Sequence, residues 1–233
     1  MNTRLRLLSL LIIMLLFIQN TAGQEKTAVV KGKIVLPKVT NKKRRHRGVS
    51  YRSRHKTRKK SKETKSTSIN SRYLDLIISA HPLTFKAEFK ALPEAVKIFQ
   101  YQAKFYPHVT PITPGTKIEF INKDKIYHNV FSMTPGAKFN VGRRPKGEVV
   151  VKQVYRLGEV NLFCDIHSHM NAKIISLDTP YFIRADDKGE FHLNGLPIGV
   201  YEVRIYHPDY QFSAETVELK AGDVKAISPK IIE

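Results

Sequence analysis

The chain has 233 residues, 40 Lys and Arg against 20 Asp and Glu, a formal net charge of +20 and one cysteine. That length suits one large or two small domains. A single cysteine excludes an internal disulfide, and an unpaired one outside the cytoplasm is kept for a reason: pairing with another chain, reactivity or metal ligation.

The first 23 residues read as an export segment, not as part of a fold. Arg4 and Arg6 precede an apolar run from Leu7 to Ile18, and Gln19-Asn20-Thr21-Ala22-Gly23 then turns polar and small. This is the layout of a cleaved signal peptide, and the run is too short to span a bilayer comfortably. The expected location is the periplasm or the exterior. Residues 26–37, containing Val30-Lys31-Gly32-Lys33-Ile34, read as a strand. Residues 38–70 follow as a basic stretch, with thirteen Lys or Arg and one acid, Glu63, between Lys42 and Lys65. With almost no aliphatic side chains it cannot bury apolar area, so a disordered loop is expected. Behind an export signal, residues 42–65 suit an anionic membrane, a polysaccharide surface or an acidic protein better than nucleic acid.

Residues 72–80 read as a further strand, and Ala91–Gln102 is ambiguous between a helical turn and a turn followed by a strand. Beyond it, Thr116–Ile121 and Tyr201–Tyr206 alternate apolar and polar residues, the period of half-buried strands. Turn signals such as Thr113-Pro114-Gly115, Thr134-Pro135-Gly136 and Ala221-Gly222-Asp223 punctuate the chain. The fold class that follows is all-β, built of sandwiches.

One strand stands apart. In Glu159-Val160-Asn161-Leu162-Phe163-Cys164, the residues Val160, Leu162 and Cys164 share a face. Cys164 therefore points inward where a short loop begins, and that loop carries His167 and Met170 before the next strand, Asn171–Leu177. A thiolate, an imidazole and a thioether on one loop suit copper. His128, in Tyr127-His128-Asn129, is placed to supply a second imidazole, and His₂Cys with a weak Met is a blue-copper donor set. Structural zinc sites use more Cys or His ligands and no Met. His169 reads as a solvated loop residue and His108 as hydrogen-bonded scaffold. His81, His192 and His207 have no partner visible in sequence, and no Ser-His-Asp, paired-carboxylate or phosphate-loop constellation is identifiable, so no catalytic residues are expected.

Taken together, PHVTPITPGTKIEFINKDKIYHNVFS and YRLGEVNLFCDIHSHMNAKIISL resemble the cupredoxins, the plastocyanin and amicyanin group of Greek-key blue copper proteins. The Cys-x₂-His-x₂-Met spacing is the amicyanin one. The resemblance implies a cupredoxin domain over 95–178, with one type 1 copper ion on His128, Cys164, His167 and Met170. It also implies that the Asn129 side chain braces the ligand loop through hydrogen bonds. The function implied is one-electron transfer without enzymatic turnover. The implied partner is a redox protein, by analogy a c-type cytochrome or a periplasmic dehydrogenase.

Residues 179–233, with YFIRADDKGEF and LPIGVY, resemble the carboxypeptidase regulatory-like (prealbumin-like) β-sandwiches. The Val30-x-Gly32-x-Ile34 pattern matches that family's first strand, which makes this smaller sandwich discontinuous over 26–37, 72–80 and 179–233. Such modules are non-catalytic and some bind sugars. The whole chain resembles bacterial methylamine-utilisation or plastocyanin-like periplasmic proteins. Copper delivery, or a carbohydrate- or surface-binding module, are the alternative functions.

Overall fold

The computed structural model describes residues 27–37 and 72–232. The export segment and the basic stretch 38–70 lie outside the described residues. Among these residues the only helix is a single 3₁₀ turn, Tyr73–Asp75, and all other regular structure is strand.

Two apolar cores organise the strands. The first lies between a three-stranded sheet and a four-stranded one. In the three-stranded sheet, Ala28–Lys33 is central, antiparallel to Glu190–Leu196 and parallel to Val224–Ile227. The four-stranded sheet runs Phe182–Arg184, Ile77–Pro82, Gly199–Tyr206, Glu215–Leu219. Val30, Ile78, Ala80, Leu196, Tyr201 and Val203 fill the space between them. Gly32 is required by close approach: a Cβ there would lie 2.6 Å from the Ile227 carbonyl oxygen and 2.7 Å from the Phe191 ring. Tyr201 is the largest fully buried side chain of this core, and its hydroxyl is satisfied by the Pro197 carbonyl at 2.8 Å.

The second core is formed by chain inserted between two strands of the first. One sheet orders Val109–Ile112, Asn171–Ser176, Gly158–Phe163, Phe131–Ser132 and Phe139–Asn140, and the other Lys104–Tyr106, Val96–Tyr101, Lys117–Asn122 and Val149–Gln153. The ambiguous segment around Ala91–Gln102 thus resolves as the strand Val96–Tyr101, paired parallel to Lys117–Asn122. The alternation works as the sequence implies: Ile118 and Phe120 point into the core, while Lys117 stays exposed. Cys164 and Met170 are members of this core together with Val160, Leu162 and Ile174.

The two sandwiches touch through a small apolar cluster, Ile77, Val109 and Ile175, flanked by Leu177 and Tyr206. Polar bonds surround it. Glu159 accepts from the Tyr206 hydroxyl at 2.6 Å and from the Lys173 ammonium at 2.7 Å. Arg184 donates to the carbonyls of Leu74 and Val109. The Tyr206 hydroxyl is held well above its usual titration range, first by burial and then by the Glu159 carboxylate. It therefore acts as a donor.

Candidate metal centre

Four loops meet at one end of the second sandwich, tied together by backbone bonds, an ion pair and the Asp124 carboxylate. His128 and Arg144 exchange both backbone bonds, at 3.2 and 2.7 Å, joining the loop after Lys117–Asn122 to the one after Phe139–Asn140. The Arg143 side chain reaches Asp165 at 3.5 Å in the third loop. That third loop, residues 164–170, is closed on itself by Cys164 N–H to the Met170 carbonyl at 3.2 Å and Met170 N–H to the His167 carbonyl at 2.9 Å. The fourth loop is the hairpin turn at Gln102-Ala103.

Cys164 follows the last residue of the strand Gly158–Phe163, so its side chain continues the inward face of Val160 and Leu162. Its Sγ lies 4.0 Å from His128 Nδ1 and 3.9 Å from His167 Nδ1. The ligating atoms of the three residues all fall within 4.8 Å of one another. His128 is 0% exposed, Cys164 5%, and His167 is half-buried.

These separations test whether the donors fit an ion. A metal bonded at about 2.3 Å to sulfur and about 2.0 Å to nitrogen, with about 120° between the bonds, holds those atoms about 3.7 Å apart. The two sulfur–nitrogen distances exceed that by a few tenths of an ångström, so small side-chain shifts would bring the three donors onto one ion. A soft thiolate between two imidazoles, buried in an apolar core, selects copper or zinc over hard cations. Met170 is 1% exposed in the same core as Cys164, and its main chain closes the loop from both sides.

The fixing of His128 depends on a residue that the sequence did not single out. Asp124 Oδ2 lies 2.8 Å from His128 Nε2. An ionised carboxylate only accepts, so Nε2 carries the proton and Nδ1 keeps its lone pair facing Cys164. Asp124 is itself held from the fourth loop: the N–H of Gln102 donates to Oδ1 at 2.8 Å and that of Ala103 to Oδ2 at 2.9 Å. Both turn residues have positive φ, 53° and 52°, which non-glycine residues adopt at a cost of about 1–2 kcal/mol each. Charge-assisted bonds to the carboxylate offset that cost. Burial pushes the Asp124 carboxyl up, but the N–H of Ala103, the His128 ring and the N–H of Gln102 outweigh it and leave the group below its ordinary range. Asn122 completes the arrangement, accepting from Asp124 N–H at 2.9 Å and donating to the Ile126 and Arg144 carbonyls.

The other candidates separate clearly. Asn129 is buried beside His128, but its Oδ1 has no hydrogen-bond partner among the described residues. The bond it does make is through its backbone carbonyl, from Gln100 Nε2 at 3.2 Å. The side-chain bond to His128 comes from Asp124. His169 is exposed, its ring 6.2 Å from that of His167 and outside the ligand group. His108 is scaffold, bonded to Asp75 at 2.9 Å and to Asn171 at 3.3 Å.

No protein-family model and no curated protein matches the chain. Among solved structures, it is similar to the copper-containing nitrite reductase of Thermus scotoductus SA-01, with 24% identity and a TM-score of 0.35 over 42% of this chain. The chain spans 25% of that reductase's length. It is similar to amicyanin from Paracoccus versutus, with 18% identity and a TM-score of 0.34 over 42% of this chain and 98% of amicyanin. It is also similar to a purple cupredoxin from Nitrosopumilus maritimus, with 18% identity and a TM-score of 0.32 over 35% of this chain and 99% of the other.

Proposed function

We propose that this chain is a mononuclear copper protein that carries single electrons. Its ligands are His128 Nδ1, Cys164 Sγ and His167 Nδ1, with the Met170 thioether as a weaker fourth donor. The observation that carries this reading is the buried thiol set between two imidazole nitrogens at 3.9 and 4.0 Å. Copper bound there supplies a Cu(I)/Cu(II) couple.

The chain's own residues do the rest. Asp124 holds His128 in one tautomer and one orientation. The backbone bonds of residues 164–170 hold Cys164 and His167 on a loop that has little freedom to move. Val160, Leu162 and Ile174 exclude water from the sulfur. A frame that stays fixed while charge changes needs little reorganisation. His167 is the half-buried ligand, so a redox partner approaches on its side, past Ile166 and Phe163, which are 40% and 38% exposed.

The finer parts of this reading rest on sequence. Export is supported by the Arg4–Gly23 pattern, and a c-type cytochrome or periplasmic dehydrogenase suits such a carrier as partner. The first sandwich is taken as a carboxypeptidase regulatory-like module, and residues 42–65 as the attachment to an anionic surface.

The test is optical. Oxidised protein loaded with one copper per chain shows an intense visible thiolate-to-copper band, and Cys164→Ser abolishes it. If Cu(II) binds without that band, or the band survives Cys164→Ser, the assignment is overturned. Ready loss of Cu(I) to a chelating acceptor during redox cycling would assign the site to delivery.

A further inference from the structure

A second group of reactive side chains lies away from the metal loops, in the cleft between the sandwiches. Ser79 and His81 sit two residues apart on Ile77–Pro82, so their side chains share a face of the strand. Ser79 Oγ is 3.0 Å from His81 Nε2, and His81 Nδ1 is 2.9 Å from Asp178 Oδ1. Asp178 comes from the other side of the insertion, on the segment leaving Asn171–Ser176. That segment is anchored to the same strand by the Thr179 hydroxyl donating to the Ala80 carbonyl at 2.7 Å and by Ala80 N–H donating to the Tyr181 carbonyl at 2.9 Å.

The protons in this chain of bonds are assigned by chemistry. An ionised Asp178 only accepts, so Nδ1 carries the imidazole proton and Nε2 is left as an acceptor. The Ser79 hydroxyl then donates to Nε2. Its other neighbour, the Arg204 carbonyl, is at 3.5 Å, too long to compete. The order is nucleophile, base, orienting carboxylate. Burial, and after it the Arg204 charge, lower the basicity of His81, so the ring is neutral near pH 7 as a general base must be.

All three residues line a cavity of about 370 Å³ whose walls include Leu157, Ile175 and Leu177. Two polar groups on its wall are not committed elsewhere. Arg204 holds Glu202 through Nε and Nη2, leaving Nη1 without a partner among the described residues. Ser176 is 2% exposed and its Oγ has no hydrogen-bond partner among them. Both line the same cavity as Ser79, on the wall where an acyl-transfer site needs donors for an anionic oxygen.

We propose that Ser79, His81 and Asp178 form a nucleophilic serine site that hydrolyses esters of short apolar acyl groups, independently of copper. Ser79 Oγ bonds to the acyl carbon while its proton passes to His81 Nε2. The C–O bond to the alcohol breaks, and the alcohol leaves with that proton. Water then attacks the acyl-serine, giving a proton to His81 Nε2, which returns it to Ser79 Oγ as the acid departs. The sum is ester plus water to acid plus alcohol. The cavity volume is near the lower end for small-molecule sites, which restricts the acyl chain to a few carbons.

The experiment is covalent labelling of the intact, full-length chain with a fluorophosphonate, read by mass spectrometry of the digested protein. Ser79 is expected to be labelled, and labelling at that position to be lost in Ser79→Ala. His81→Gln is expected to slow labelling about a hundredfold or more, the range that general-base assistance supplies. Hydrolysis of 4-nitrophenyl acetate should fall in the same variants, and the β-sheet circular dichroism should be unchanged. Labelling of Ser79 no faster than in heat-unfolded protein, or at the wild-type rate in a folded His81→Gln variant, overturns the proposal. The visible copper band, measured on the same samples, reports separately on the metal reading.

Discussion

The two sandwiches bury different chemistry. The core between Ala28–Lys33 and Gly199–Tyr206 is apolar, with Phe191 and Tyr201 as its large buried aromatic side chains. The core between Val96–Tyr101 and Gly158–Phe163 holds Cys164 and Met170, the buried sulfur-bearing side chains among the described residues, and is bordered by buried Gln100, Asn122, His128 and Asn129. An unpaired buried polar group costs stability. At the metal end Gln100 and Asn122 bond to backbone carbonyls and His128 to Asp124, while Asn129 Oδ1 is left without a partner among the described residues. The comparison separates a core closed by apolar packing, with Ser79 and His81 outside it on the cleft face, from one that takes in polar groups to hold particular atoms in particular places.

The largest effects should come from opening each core. Ile118→Ala and Ile78→Ala each remove a fully buried side chain, one per sandwich, and should cost about 2–5 kcal/mol. The apolar contact at Ile77, Val109 and Ile175 and the Glu159 bonds join the sandwiches, so both variants should shift one common thermal transition. Two separate transitions in calorimetry, each responding to one variant, would show the cores to be independent. Asp124→Asn comes next. Loss of a carboxylate behind a ligand histidine typically weakens metal binding about 10–100-fold. The less basic imidazole also favours Cu(I), so the reduction potential should rise. Competition with a chelator and voltammetry measure the two. An unchanged potential would reduce Asp124 to a brace for the Gln102-Ala103 turn. Tyr206→Phe should cost only about 0.5–1.5 kcal/mol, the net worth of one hydrogen bond. It should lower the common transition without altering the copper spectrum.

The smallest effect is a pH slope. His108, paired with Asp75, is raised above its ordinary 6.5, chiefly by the hydrogen bond to that carboxylate. Its contribution to stability is fully present below pH 6.5 and is lost as pH rises through the folded value. His81 moves the other way: burial lowers it, so its contribution is present above pH 6.5 and lost as pH falls through the depressed value. Denaturant midpoints measured from pH 5 to 9 should lose their alkaline decline in Asp75→Asn and keep the acidic one.

How much of this could be read from the chain follows from sequence distance. The approach of Cys164 to His167 is legible because one short loop carries both and the alternation of Val160 and Leu162 fixes which way Cys164 points. His128 is legible as the histidine following an amphipathic strand. Asp124 is not, because its role depends on a turn at Gln102-Ala103, whose left-handed backbone no glycine announces. The Ser79–His81–Asp178 group is hidden for the same reason on a larger scale: a strand and the segment beyond the insertion meet only in the folded chain. Gly32 is the reverse case. A glycine within Val-x-Gly-x-Ile marks a strand, and the Ile227 carbonyl and Phe191 ring supply the reason.

The central position of Ala28–Lys33 sets an order of assembly. Its partners are Glu190–Leu196 and Val224–Ile227, so the strand that leaves the ribosome early waits for the strands that leave late. Strands that pair across so much chain join slowly, because the intervening loop must be closed before any bond is gained. The strands of the metal sandwich all lie between Val96 and Ser176 and need nothing from either flank to complete their sheets. The site-bearing sandwich can therefore be whole while the other is still an open edge seeking its last strand. During that interval the folding chain would already hold its thiol between two imidazoles.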